Sequence, residues 1–189
     1  MPDLRRVVIT GIGAITPIGT GTDQVWDGLR EARSAVQCVT RFDPTPFKSR
    51  IAAQVNDFVA TDHMEERRAR RLDRFGRFSV AATRLALVDA GIDLAREDRD
   101  TIGAMMGTAL GGVAFAEQQY PEFLRGGPRA VDPSLALMVF AGAASCNVAI
   151  EFGLSGPNST TSLQSSPANT SSGDAHRNWR RCFQFQFVG

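Results

Sequence analysis

The stretch Val139–Asn158, VFAGAASCNVAIEFGLSGPN, limits what this chain can fold into more than any other. It is apolar and rich in small side chains, contains neither Lys nor Arg, and ends in a Ser-Gly-Pro-Asn turn. Ala141, Gly142, Ala144, Ser145 and Ala149 let a helix approach its neighbours closely. Val139, Phe140, Val148, Ile150 and Phe152 give that helix apolar contacts on more than one side. The pattern predicts a central helix closed at Gly153, then a sharp re-entry into extended chain at Gly156-Pro157.

The rest of the chain supplies the layers such a helix needs. Arg5–Ile9 reads as a β-branched strand turning into the glycine-rich run Gly11-Ile12-Gly13. A pyrophosphate-binding turn is weighed there and set aside, because Thr16 stands where the third glycine should be and Pro17 opposes a helix. A buried strand-to-loop transition that needs glycine for backbone conformation is the plainer reading of the run. Thr22-Asp23 is expected to cap a helix through Trp26 and Leu29, and Arg41–Phe58 to cross the surface, with an extended run at Ile51–Val55. Phe78–Ala90 should be helical and close at Gly91. Ile102–Met106 should be a buried strand entering the glycine-rich loop 107–112, and Ala114–Leu124 a further helix. Alternating strand and helix patterns from Val7 to Thr160 make a layered α/β fold.

Composition excludes several classes. A net charge of +1 gives no reason to expect nucleic acid or a membrane surface as partner, and no apolar run reaches the roughly 20 residues of a membrane span. The N-terminus MPDLRRVVIT lacks a signal-peptide plan, so a cytoplasmic location is expected. Cys38, Cys146 and Cys182 are irregularly spaced, which predicts neither a disulfide framework nor a metal site, and no cofactor is expected. Cys146, mid-helix, is expected to be buried.

The central stretch, VVITGIGAITPIG near the start, and the loop 126–134 resemble the β-ketoacyl-acyl-carrier-protein synthases of the thiolase superfamily, synthase II type. That resemblance implies a thiolase-like α/β/α fold of which this chain carries the amino-terminal half, with residues 1–163 as the synthase domain and 164–189 as an anomalous tail. It implies acyl-carrier protein as a partner, and either a homodimer or pairing with an intact synthase. Glu65–Arg77 is a strongly basic run that charge alone would read as a solvated helix face. Followed by Leu72-Asp73-Arg74-Phe75, it is similar to the segment that meets the acidic carrier protein, which implicates Arg67, Arg70 and Arg71. Leu110 corresponds to the residue that touches the acyl chain, or else it is a core leucine at a tight turn.

In the family the nucleophilic cysteine stands nine residues after the glycine of the Gly-Pro turn, and here that position is Ser165. The family-like string Gly173-Asp174-Ala175-His176-Arg177 keeps the register on the far side. A thiolate at a helix N-terminus is favoured because the dipole lowers a thiol pKa that starts near ~8.5, whereas serine offers no such anion near neutral pH. Neither histidine of the chain matches a catalytic-histidine motif: His63 is expected at the surface and His176 behind the nucleophile. The abrupt loss of the match is what a shift of reading frame after Leu163, recovered briefly near Gly173 and lost again after Arg177, is expected to produce. The chain is therefore expected to be inactive alone. A non-catalytic chain-length-factor-like subunit is the competing reading, since Gln164 is one residue from the position where such partners carry glutamine. A scaffold that only binds carrier protein is a third.

Overall fold

The computed structural model describes residues 8–162 and 182–186 of the chain. Two antiparallel pairs come first. β1 (Ile15–Thr16) pairs with β2 (Gly19–Thr20), and α1 (Gly21–Arg30) follows without a break. β3 (Val36–Cys38) then pairs with β4 (Ile51–Ala53) across the surface excursion. A single turn, α2 (Glu66–Ala69), leads into the long helix α3 (Arg74–Asp89). The strand β5 (Gly103–Gly107) is followed by α4 (Val113–Gly126), α5 (Leu135–Val139) and α6 (Ala143–Phe152), then by β6 (Asn158–Thr161) and β7 (Cys182–Gln186).

The core forms around β5. It is the middle strand of a parallel sheet ordered β6-β5-β7, with Ala104 opposite Asn158 and Phe183. All five of its residues are buried, as a parallel strand covered by helices requires. α3 and α6 pack against each other, and α6 also lies on β5. Val80 and Ala81 of α3, Met106 of β5 and Ala144 and Val148 of α6 are fully buried in one cluster. Hydroxyls inside this layer are satisfied locally. Ser79 Oγ donates to Phe75 O at 2.9 Å and Thr83 Oγ1 to Ser79 O at 2.7 Å, so the helix interior tolerates them. Gly153 ends α6 at φ 63°, the left-handed conformation expected of it.

Three expectations are corrected. Of the strand expected at Arg5–Ile9, residues 5–7 lie outside the described residues, and Val8 and Ile9 form no strand and are 67% and 85% exposed, with no described strand beside them to supply a ladder or a core. α1 begins at Gly21 with Thr20 as N-cap, so Thr22 and Asp23 lie inside the helix, and the Thr20 N–H is taken by Gln24 Oε1 at 3.0 Å. α6 packs on both α3 and the sheet through Ala143, Ala144, Ser145, Val148 and Phe152, the contacts on more than one side that its sequence predicts. Its other side carries Ile150, 67% exposed, and Cys146, which is exposed rather than buried. The helix rests on α3 and the sheet, and nothing among the described residues covers the opposite face.

The early glycines have a steric role. Neither Gly11 nor Gly13 adopts a positive φ. A Cβ at Gly13 would lie 1.9 Å from Ala82 O, and one at Gly11 2.5 Å from Ala86 O, so the loop lies directly on the α3 backbone. Asp89 Oδ2 accepts from Ile12 N at 2.8 Å and holds it there. Gly156 makes the same kind of approach to β5, 2.4 Å from Ile102 O. Gly13→Ala and Gly156→Ala should each cost about 1–3 kcal/mol in chemical denaturation, as overpacking does. Gly91→Ala, at φ 62° with open space around it, should cost only ~1 kcal/mol through backbone conformation. Equal losses at the three positions would reject the close approach.

Candidate functional site

The basic run is sorted into two sets by the geometry of one helical turn. Arg67, Arg70 and Arg71, spaced i, i+3, i+4, share an outward face, and with Glu66 they line a shallow depression. Arg70 pairs with Glu66 at 2.5 Å, both well exposed, a contact worth a few tenths of a kcal/mol at most. Arg67 and Arg71 have no ion-pair partner among the described residues.

Arg68, Arg74 and Arg77 turn the other way. Arg77 Nε donates to Ala69 O at 2.8 Å and Leu72 O at 2.9 Å, which closes the carbonyl end of α2. Arg74 donates to Val55 O and lies over the Phe78 ring, 4.5 Å from its centroid. Arg68 Nη2 donates to Asn147 Oδ1 at 3.0 Å, and its Nε lies 3.3 Å from Glu151 Oε2, an ion pair without hydrogen-bond alignment. Glu151 Oε1 accepts from Arg84 Nη2 at 3.0 Å, so one largely buried carboxylate on α6 faces two cations. Asp73 caps α3 through Gly76 N at 2.8 Å. Burial pushes its carboxyl above the ordinary value, against the hydrogen bonds it accepts.

The strand that leads toward residue 165 is tied to the glycine-rich loop. Thr108 N donates to Thr161 O at 3.1 Å and Ser162 Oγ to Ala109 O at 3.3 Å, while Thr108 Oγ1 accepts from Gly111 N at 3.0 Å. From the helix side, the hydroxyls of Ser145 and Thr160 meet at 2.7 Å. β6 therefore ends beside the loop at the carboxyl end of the parallel sheet, where α/β folds place their ligands. Leu110 stands on that loop. It is 66% exposed, which overturns the core-leucine alternative, since the turn lifts it away from β5 instead of folding it beneath. Ser165, Gln164 and His176 lie outside the described residues.

His63 is half-buried rather than superficial. Its ring stacks on Phe58 with centroids 5.8 Å apart and planes within 7°, Phe58 packs on Phe78, and the His63 carbonyl accepts from Arg84 Nε. Burial holds its imidazole below the ordinary value, with Arg84 adding to the effect. Its place in an aromatic stack is structural.

Sequence reasoning missed the cluster of Arg68, Asn147, Glu151 and Arg84. A signal existed: Glu151 is the one acid in a stretch free of Lys and Arg, so a buried helix was carrying a charge that had to find its partner elsewhere. Among the described residues no group of three His, Cys, Asp or Glu is placed to hold a metal ion, and no helix is long and apolar enough to cross a membrane.

Residues 4–176 match the family model for the amino-terminal domain of β-ketoacyl synthase. The 3-oxoacyl-[acyl-carrier-protein] synthase 2 of Synechocystis sp. is 38% identical over 173 residues, which is 92% of this chain and 42% of that protein. The chain thus spans less than half the length of this relative. The solved ishigamide ketosynthase/chain length factor is 33% identical with a TM-score of 0.78, covering 85% of this chain and 40% of its own. A type II polyketide acyl-carrier protein in complex with its ketosynthase matches at a TM-score of 0.78, covering 96% of this chain and 50% of that one. At 19% identity that likeness speaks for the fold alone. A parallel core strand between helices, a Gly-Pro turn delivering β6 to the glycine-rich loop, and these matches together lead to one conclusion: the chain belongs to the β-ketoacyl synthase family, of which it carries the amino-terminal domain.

Proposed function

We propose that this chain is the carrier-protein-receiving part of a β-ketoacyl-acyl-carrier-protein synthase and that it condenses no acyl groups by itself. In the complete enzyme of the family, a cysteine takes the acyl group from its carrier thioester. Malonyl-acyl-carrier protein then loses carbon dioxide, the resulting enolate carbon attacks the acyl carbonyl, and the cysteine thiolate leaves. The product is two carbons longer and serves fatty acid or polyketide synthesis. The observation that carries the second half of the proposal is Ser165, nine residues after Gly156 where the family places that cysteine. A serine nucleophile needs a strong neighbouring base, and the one described histidine is occupied in the Phe58 stack. Support for the first half is the outward set Arg67, Arg70 and Arg71, whose field attracts an acidic partner. Leu110, exposed on the loop beside the end of β6, fits the role of acyl-chain contact.

A second reading is a non-catalytic partner subunit. The likeness to a ketosynthase/chain length factor structure and the nearness of Gln164 to the cysteine position favour it. In that case the chain co-purifies with an intact synthase, whereas a homodimer fits the first reading.

With acyl- and malonyl-acyl-carrier protein as substrates, the purified chain should give no condensation product, and cerulenin-sensitive turnover by it alone would contradict the proposal. Charge reversal at Arg67→Glu, Arg70→Glu and Arg71→Glu should weaken carrier-protein binding by at least about tenfold in a surface-plasmon-resonance titration. The unaltered chain should itself bind more weakly as salt rises from about 0.05 to about 0.2 M, as screening between exposed charges requires. Binding indifferent to both changes would reject the arginine face as the docking surface.

A further inference from the structure

Helix α2 is one turn long and too short to hold its shape alone, since isolated helices below ~12 residues are marginal in water. Whatever orients Arg67, Arg70 and Arg71 must act through the few anchors α2 has. Ala69 and Leu72 are buried, and Arg77 closes the carbonyl end. These hold one side of the turn against the core. Arg68, the inward member of the same turn, adds a polar hold from α6. Its guanidinium donates to Asn147 Oδ1 at 3.0 Å and Asn147 O at 3.3 Å, and pairs with Glu151 at 3.3 Å. Asn147 is itself held by donating from Nδ2 to Ala143 O at 2.7 Å. Glu151 is held from the other side by Arg84, whose guanidinium lies 5.3 Å from the centre of the Phe152 ring and whose Nε donates to His63 O. The Glu151 side chain is 15% exposed, so the pair works in a medium where charges attract more strongly than at the surface.

We infer that Glu151, with Asn147, is a positioning residue for carrier-protein docking: it grips Arg68 and so turns the arginines at 67, 70 and 71 toward the partner. The inference rests on the carrier-protein reading of that face. It also links the face to β6, because α6 carries Asn147 and Glu151 on one part of its surface and Ser145, bonded to Thr160 of β6, on another.

The sign of one substitution separates positioning from charge. Glu151→Gln removes a negative charge beside the arginines, so if only net charge mattered an acidic partner would bind more tightly. If Glu151 positions α2, binding weakens although the surface has become more positive. The measurement is a titration of the full chain with fluorescently labelled holo acyl-carrier protein, well below the melting temperature, with far-UV circular dichroism confirming the fold. The expected result is about a tenfold weaker Kd for Glu151→Gln, with partial recovery in Glu151→Asp. Unchanged or tighter binding overturns the inference. Should Glu151→Gln fail to fold, Asn147→Ala, which removes an acceptor of Arg68 without altering charge, is read by the same criterion. The reversal of Arg67, Arg70 and Arg71 run alongside distinguishes the two failures. If that variant binds normally the docking face itself is wrong, and if only the Glu151 and Asn147 variants bind normally the face stands and the positioning role falls.

Discussion

Everything in this structure depends on how closely α3 and α6 pack over β5. Small side chains make the approach possible: Ser79, Ala81, Ala82 and Thr83 on one helix, Ala143, Ala144 and Ser145 on the other, all buried. Val80, Val148 and Met106, all fully buried, belong to the same cluster. Because buried hydroxyls bond within their own helix or across to Thr160, the layer contains polar atoms without leaving them unsatisfied. The Gly13 loop on the outer side of α3 and the Gly156 turn against β5 are further close approaches that a Cβ would block. The glycines define where backbone meets backbone.

Charge is distributed around that layer by the same helical geometry. Six arginines fall between Arg67 and Arg77. Those at 67, 70 and 71 point outward because they share one side of a single turn, and Arg68, displaced by about 100° around the helix, faces α6. A buried carboxylate facing two guanidiniums is weak evidence for stability, because desolvation offsets much of the attraction. Its better-founded consequence is orientation, since a charge in a partly buried site tolerates few arrangements. Arg74 and Arg77 serve the backbone, one bonded to Val55 and the other to the end of α2.

Large apolar side chains remain uncovered among the described residues. Tyr120 and Leu124 of α4, Leu137 of α5 and Ile150 of α6 are each more than 60% exposed, and no residue of α4 is buried. The Synechocystis relative is more than twice as long as the part this chain matches, so similar elements sit there in a longer chain.

The sequence by itself determined the elements whose signals are local. The buried strand at 103–107, the helix closed by Gly153, the turn at Gly156-Pro157 and the helix expected at Ala114–Leu124 all follow from local pattern and turn residues. The family was legible too, because motifs such as Leu72-Asp73-Arg74-Phe75 keep their order and spacing along the chain. Only the tertiary structure decided which side of each element meets another. The pattern of α6 predicted an apolar contact for Ile150 and burial for Cys146, yet both are exposed, because burial belongs to the pair of surfaces and not to the residue. The same holds for the arginines: composition made the run basic, but the partners of Arg68 stand 79 and 83 positions away, and no local pattern contains that distance.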